Sequence, residues 1–514
     1  MHLLWFRRDL RLSDNEVVTL AAVENQAVLP FFIIDPWFYQ WDDVGKSRVR
    51  FLFECLENLD SNLKEVGSKL ILFEGSSVEV LQNLTKQLLE QEYQPKLYFN
   101  RDVQVEYGIS RDKQIIDFYQ GLNLEYYLGL NSFLQSEDNR EEWFAEYYTH
   151  QRQAIFLPPK NINTPSINLD IPQLTFRQLK QKYSDFWKTE KIYFPGGETK
   201  AQNILNSFLK TRYHGYHWKL SRPWFAQKGA TSHLSPHLAF GTISVRNVYQ
   251  STKTRAEELK HQPKAEFTLK SFRDRLRWRD SFTQRLYFHP EVAYINRFPE
   301  FDIWYTPEDL SPEKQELFDA WKEGSTGFPL VDASMRQLKT MGWMNFRMRA
   351  MCATFLTINC GISWHHGARH YMNCLVDGDL AINNWQWQMQ AGVTNPLSKT
   401  FRIYNPNKNI QEKDPDLKFI YYWVPELKGY SLPEIMAGKY IGKGIYQDPI
   451  LDLSSTRKVN GKIISDLRKQ VRERLESEKG KEYQGAVAAK ETVEKYNKYK
   501  DREYKQLKDS QGIA

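Results

Sequence analysis

Cysteine is scarce in this chain, with four residues (Cys55, Cys352, Cys360 and Cys374) among 514. That excludes a disulfide framework, and the lack of any C-x-x-C pair removes the simplest zinc and dithiol motifs. Three of the four lie in helical patterns and are expected as buried thiols, and no metal site is expected. Long apolar runs are missing too. None approaches the roughly 18 residues that a membrane helix needs, and the N-terminus carries no signal-peptide pattern. A cytoplasmic monomer with no membrane partner is the expectation. No G-x-G-x-x-G follows the first strand pattern and there is no P-loop, which excludes the usual Rossmann manner of holding a dinucleotide.

Aromatic residues are what the chain has in abundance. They make up 14% of it, with 15 tryptophans, a load that points to stacking surfaces or an aromatic-lined cavity. Hydrophobic content of 41% and charged content of 26% describe a globular chain, and its length exceeds one ordinary core, so two domains are predicted. The net charge of +7 permits a polyanionic partner without establishing one.

Residues 1–130 alternate short apolar runs with helical patterns. His2–Phe6, Val28–Ile34, Leu70–Phe73 and Leu97–Phe99 read as buried parallel strands, with helices over Val49–Leu59 and Val78–Leu84. The predicted fold class is α/β, a doubly wound parallel sheet. Trp5-Phe-Arg-Arg-Asp9-Leu-Arg11, with Asp14-Asn15, puts clustered charge at the carboxyl end of the first strand, an edge that ligands favour. A salt-bridge cluster accounts for the same charges. Residues 131–198 have turn chemistry and little periodicity, as in Leu157-Pro-Pro-Lys160 and Phe194-Pro-Gly-Gly197, and read as an inter-domain linker. Helical patterns fill 199–475, an all-α domain, and a charged tail occupies 476–514.

Two helical-domain segments suit anionic or flat ligands. Gly229-Ala-Thr231-Ser232-His233-Leu234-Ser235-Pro236 sets hydroxyls and amides before a helix, as an anion site or as a plain cap. Ser271–Asp280 is studded with arginine, and Arg275 shares a face with Trp278 and Arg279. Arginine beside an indole suits stacked bases and phosphates, while a solvated salt-bridged face is the rival.

The densest chemistry runs from Thr326 to Pro406, where guanidiniums on a helix precede carboxylates and amides from a turn. Thr326-Gly-Phe-Pro-Leu-Val-Asp332, Asp377-Gly-Asp379-Leu and Trp423-Val-Pro-Glu-Leu427 occur in that order. With the N-terminal string and Gly45, Arg48 and Phe51-Leu52, they resemble the photolyase/cryptochrome family, and bacterial-type cyclobutane pyrimidine dimer photolyases above all. The resemblance covers nearly the whole chain except the tail. Nothing after Cys374 supplies the iron–sulfur ligands that one branch of that family carries.

The resemblance implies an antenna-type N-terminal domain for a folate or a deazaflavin, with no residue selecting between them, and a helical FAD-binding domain. It makes Thr231, Ser232, Leu234 and Ser235 the flavin phosphate loop, Arg279 the pyrophosphate arginine, and Tyr216 a phosphate-contacting tyrosine at a longer spacing than usual. Arg349 and Asp377 become an ion pair beside the isoalloxazine, Asp379 a ribitol neighbour, and Asn383 the group facing flavin N5. An amide there accepts a hydrogen bond and does not readily give a proton, which suits a reduced flavin. Trp387, Trp364 and Trp304 become inner, middle and outer members of an electron-carrying tryptophan chain.

Toward DNA containing pyrimidine dimers, the resemblance makes Trp278 a stacking residue, Arg347 a lesion-side arginine and Arg402 a backbone contact. The lesion face departs from the family. Arg275 replaces a glutamate, Phe346 an asparagine, Ala350 a methionine and Met389 a tryptophan, for which Trp385 is a substitute. Asn345 and Phe346 also replace a histidine pair used on (6-4) photoproducts, which argues against that lesion. The implied activity is light-driven splitting of cyclobutane dimers, with a cryptochrome-like photoreceptor as the alternative.

Overall fold

The apolar runs of the N-terminal region pair as parallel strands because helices cover both faces of the sheet they make. In the computed structural model β1 (His2–Trp5) lies between β2 (Val28–Ile34) and β4 (Lys96–Asn100), with β3 (Ile71–Glu74) beyond β2 and β5 (Tyr126–Gly129) beyond β4. The register sets Leu3 opposite both Leu29 and Leu97. Every residue of β1 and β2 is buried, as a two-sided core strand requires. Leu3, Trp5, Phe31, Phe73 and Phe99 form the centre of that core, and the Trp5 and Phe31 rings are parallel with centroids 6.4 Å apart. The order β5-β4-β1-β2-β3 puts the topological switch point between β1 and β4.

The structure describes residues 1–477, apart from 24–25, 40–43, 104–105, 136–139, 188–193, 397 and 399–400. The charged tail predicted from residue 476 lies outside them beyond 477. The 131–198 stretch holds elements of its own. These are a helix at Arg140–Gln151, the antiparallel edge strand β6 (Gln173–Leu174) on β3, and a helix at Phe176–Lys182 opened by a Thr175/Gln178 capping box. β6 is two residues long, too short for a period to register.

The described chain divides into two compact units. One comprises residues 1–217, 229–288 and 373–379, and the other 218–228, 289–372 and the chain from 380 on. The first carries the six-stranded, mostly parallel sheet, and the second is mostly helical.

In the second unit the Thr-Gly-Phe-Pro-Leu-Val-Asp motif has a local reason. Gly327 takes a left-handed φ of 78°, and Pro329 opens the helix Pro329–Met341. The buried Asp332 then accepts from Thr326 N (2.8 Å), Thr326 Oγ1 (2.5 Å), Gly327 N (3.0 Å) and the Tyr446 hydroxyl. Arg336, one turn on, donates to Gly324 O, Trp423 O and Glu426, which binds this motif to the Trp-Val-Pro-Glu-Leu segment. The four cysteines are free thiols, three of them buried. Among the described residues no helix is long and apolar enough to cross a membrane, and no His/Cys/Asp/Glu group is arranged to hold a metal ion.

Candidate functional site

The charged string after β1 is a clamp within the first unit. Arg8 donates to Ala239 O from Nε (3.0 Å) and Nη2 (2.8 Å), and Arg11 donates to Gly241 O (2.8 Å). The buried Asp14 accepts from Ser244 Oγ (2.5 Å) and Arg246 Nε (3.0 Å). What remains open at the switch-point edge, between Arg7, Asn100, Arg101, Asn131 and Arg279, is a cavity of about 50 Å³. That holds a few waters, far short of the several hundred cubic ångströms of a pigment-sized pocket.

The predicted phosphate loop is held from behind by Arg212, which sequence reasoning missed. Its guanidinium gathers the carbonyls of Ile204 (2.8 Å), Gly229 (2.9 Å), Thr231 and Ser232 (3.3 Å). A guanidinium bound to backbone carbonyls leaves no side-chain pattern to find. Gly229 and His233 both have left-handed φ, and Ser235 starts a five-residue turn of helix after Leu234, with no side-chain cap. Thr231 Oγ1 is buried without a protein partner. That orphaned hydroxyl in a carbonyl-anchored loop fits a phosphate-bearing cofactor, because a buried polar atom left unpaired is costly.

On the helix Pro263–Phe288, Arg275 is exposed and Trp278 is 48% exposed, one turn apart. Arg279 turns the other way and donates to Leu238 O (2.9 Å), Ser132 Oγ (3.3 Å) and its fully buried neighbour Asp280 (2.6 Å). Burial pushes the Asp280 carboxyl up to about 6, against the pull of Arg279. Tyr216 is buried edge-on against Phe208 (5.6 Å) and Phe272 (5.4 Å), and burial raises its phenol to about 12. Asp377 and Asp379 are both buried, and Asp379 lies 3.4 Å from Arg8 Nη2.

The second unit contains the other predicted residues. Arg349 Nε donates to Met344 O (2.8 Å), and the Arg349 backbone carbonyl takes the Tyr371 hydroxyl (3.2 Å). Asn383, on the helix Leu380–Gln390, spends its amide hydrogens on Ala368 O (3.1 Å) and Asn384 Oδ1 (2.8 Å). Its carbonyl oxygen is the atom left to present, an acceptor. One turn on, Trp387 is 2% exposed with its indole N–H unpaired in the protein. The rings that meet it are Tyr371 (4.8 Å) and Trp321 (6.0 Å). Neither was singled out from sequence. Trp364 is fully buried, gives its N–H to Asn296 Oδ1 (2.8 Å) and stacks on His365. Trp304 is half-buried with Lys314 Nζ 5.9 Å from its ring.

Phe346 is 41% exposed, with the Arg347 guanidinium 5.0 Å from its ring and 5.2 Å from that of Tyr404. Arg402, exposed, lies 5.8 Å from the same tyrosine ring. Tyr404 thus joins two predicted DNA-contacting arginines. Met389, Ala350 and Trp385 are half-buried. Asn345 is buried, and its amide donates to Leu220 O (3.0 Å).

Buried imidazoles give the molecule an acid limit. Burial lowers His237 and His365 to about 3 and His370 to about 4. An unfolded histidine titrates near 6.5. The unfolded chain therefore binds protons that the folded one refuses, and stability falls as pH drops from about 6.5 toward 4. Asp280 and Asp414, raised by burial to about 6, act oppositely as pH falls from about 6 to 4. Three imidazoles outweigh two carboxyls, so Tm is expected to fall on acidification. His370→Gln should flatten that fall, by at most about 1.4 kcal/mol per pH unit. Parallel Tm–pH curves for the two proteins would contradict this.

Two family models match the chain, "DNA photolyase" over residues 2–127 and "FAD binding domain of DNA photolyase" over residues 272–466. A deoxyribodipyrimidine photo-lyase of Synechococcus sp. is 31% identical over 471 residues, covering 88% of this chain and 93% of that protein. A cryptochrome DASH of Synechocystis sp. is 30% identical, covering 83% and 88%. The crystal structure of a bacterial class III photolyase from Agrobacterium tumefaciens superposes with a TM-score of 0.76 at 28% identity, over 91% of this chain and 98% of that one. With an α/β sheet unit, a helical FAD-binding domain and relatives of this extent, the chain belongs to the photolyase/cryptochrome family.

Proposed function

We propose that the protein is a deoxyribodipyrimidine photolyase, a carbon–carbon lyase that splits cyclobutane pyrimidine dimers in DNA under light. The observation that carries this is Asn383. Its amide hydrogens are committed to Ala368 and Asn384, so it offers an acceptor and no proton. Such a group stabilises a flavin that is reduced and protonated at N5. When bound, reduced FAD supplies the electron that opens the dimer and takes it back, so the reaction has no net redox change.

The chain's own residues do the rest. Thr231, Ser232, Leu234, Ser235 and Tyr216 bind the phosphate end, with Arg279 close by charge. Arg349, Asp377 and Asp379 flank the ring, and Trp387, with Trp364 and Trp304, delivers reducing equivalents. Trp278 stacks on the extruded lesion. Arg275, Phe346, Arg347 and Met389 line its approach, and Arg402 meets phosphate. A folate or deazaflavin antenna belongs to this reading as an added light gatherer, but the switch-point cavity of about 50 Å³ does not hold one as it stands.

A cryptochrome-like photoreceptor without repair is the second reading. It is favoured by Asn345, whose amide is spent on Leu220 O, and by Phe346 and Arg275, which offer no amide or carboxylate to a thymine edge. Each such hydrogen bond is worth about 1–3 kcal/mol when buried. Irradiating the reduced protein with dimer-bearing single- and double-stranded oligonucleotides separates the two. Restored thymines are expected; none on either form, with flavin photoreduction intact, rejects the lyase.

A further inference from the structure

A short strap in the second unit presents exposed rings and cations that are not among the residues assigned to the lesion. From Thr199 to Ala256 the chain has no Asp or Glu but nine Lys and Arg. Within that run, Trp218–Lys228 carries Trp218, Trp224 and Phe225 interleaved with Lys219, Arg222 and Lys228.

The inward side of the strap is tied down. Leu220, Pro223 and Ala226 are buried. Leu220 O accepts from Asn345 (3.0 Å), and Gln227 Oε1 accepts from Trp423 Nε1 (2.9 Å) and Gln337 Nε2 (3.2 Å). The rings therefore stay outside, with Trp218 40%, Phe225 38% and the adjoining Tyr422 53% exposed. They are ordered there in two cation-bearing pairs. Trp218 meets Phe225 edge-to-face at 5.4 Å, with Arg222 5.3 Å from the indole. Trp224 meets Tyr422 at 6.0 Å, with Lys228 4.9 Å from that indole. No carboxylate among the described residues lies within ion-pairing distance of Arg222 or Lys228.

A core-seeking strap would bury these rings, and a salt-bridged surface would pair these cations. Anchored, exposed rings beside cations without acids suit a polyanion that displays flat faces. We infer that the strap is a docking surface for single-stranded nucleic acid outside the lesion pocket, with bases stacking on Trp218 and Phe225 and phosphates meeting Arg222 and Lys228. A duplex hides its base faces and fits less well. The inference extends the DNA-repair reading but is tested separately from it.

The test measures binding of an undamaged oligo(dT) to the full-length, flavin-loaded protein by fluorescence anisotropy. Trp218→Ala with Phe225→Ala is expected to weaken it by roughly tenfold or more per ring, while Trp218→Phe keeps most of the affinity. Arg222→Gln with Lys228→Gln should lower the slope of log Kd against log salt by roughly one to two. Flavin content and dimer repair at saturating substrate should not change. Unchanged oligo(dT) affinity in the ring variant overturns the inference, even where repair is intact. An equal loss on undamaged duplex overturns base stacking, and wild-type binding to phosphatidylserine vesicles in preference to oligo(dT) assigns the strap to lipid instead. A wild type that repairs nothing, with a ring variant that loses oligo(dT), sinks the lyase and leaves the strap standing.

Discussion

Gly367→Ala is expected to destabilise the protein, although alanine is the better helix former by up to about 1 kcal/mol. Gly367 lies within the helix Trp364–Cys374, in ordinary helical backbone. A Cβ there would penetrate the six-membered ring of Trp387 and lie 2.7 Å from Leu356 Cδ2. Trp387 is closely packed, with Tyr371, one turn on from Gly367, at 4.8 Å and Trp321 at 6.0 Å, so it cannot shift freely. Overpacking of this kind costs about 1–3 kcal/mol, occasionally more. A drop of several degrees in Tm should follow. Pairing it with Trp387→Phe, which shortens the ring, should recover part of the loss, since touching residues do not add independently. A neutral or raised Tm for Gly367→Ala would show that the indole is seated elsewhere.

Trp387→Phe on its own is expected to slow light-driven reduction of the bound flavin by more than an order of magnitude, with affinity for DNA retained. The indole is far easier to oxidise than a phenyl ring, and Trp387 sits one helical turn beyond Asn383 in a dry setting. As the donor it would give up one electron, and Trp321, its ring 6.0 Å away, could refill it without losing a proton before an external thiol restores the chain. Tyr371, at 4.8 Å, has only the Arg349 carbonyl to take its phenol proton. Bleaching under blue light in the presence of a thiol measures the rate, and oligonucleotide binding checks that the fold survives. Normal bleaching in the variant would remove Trp387 from the electron path. Trp321→Phe and Trp364→Phe then tell which neighbour hands the electron on.

Much of this was legible from residues alone because it is written locally. The strands at His2, Val28, Leu70 and Leu97 announce themselves by unbroken apolar runs, and the structure places β1–β4 there within a residue or so. The Asp332 motif is equally local, a carboxylate catching amides five and six residues before it. What escaped depends on partners far along the chain. Arg212 holds carbonyls up to 20 residues away, Asn345 reaches Leu220, and Tyr404 joins Arg347. The charge after β1 was ambiguous for a different reason. Arg8 and Arg11 end on backbone carbonyls at 239 and 241, which no pattern of side chains reveals. The aromatic wealth was seen, but its distribution was not. Trp321 and Tyr371 carry no motif, only adjacency to Trp387.

The recurrence of residues 373–379 in the first unit bears on how the protein is made. That heptapeptide supplies Cys374 O to Ser47 and Asp379 to Arg8, and its Asn373 leaves room at position 45 for glycine alone. It is translated 85 residues after Phe288, the preceding residue of that unit (373 minus 288). At roughly 5–20 residues per second, the ribosome delivers it on the order of 4–17 seconds later. The nascent unit must wait that long for its last segment, and a fragment ending at 288 would leave Arg8 and Ser47 without it.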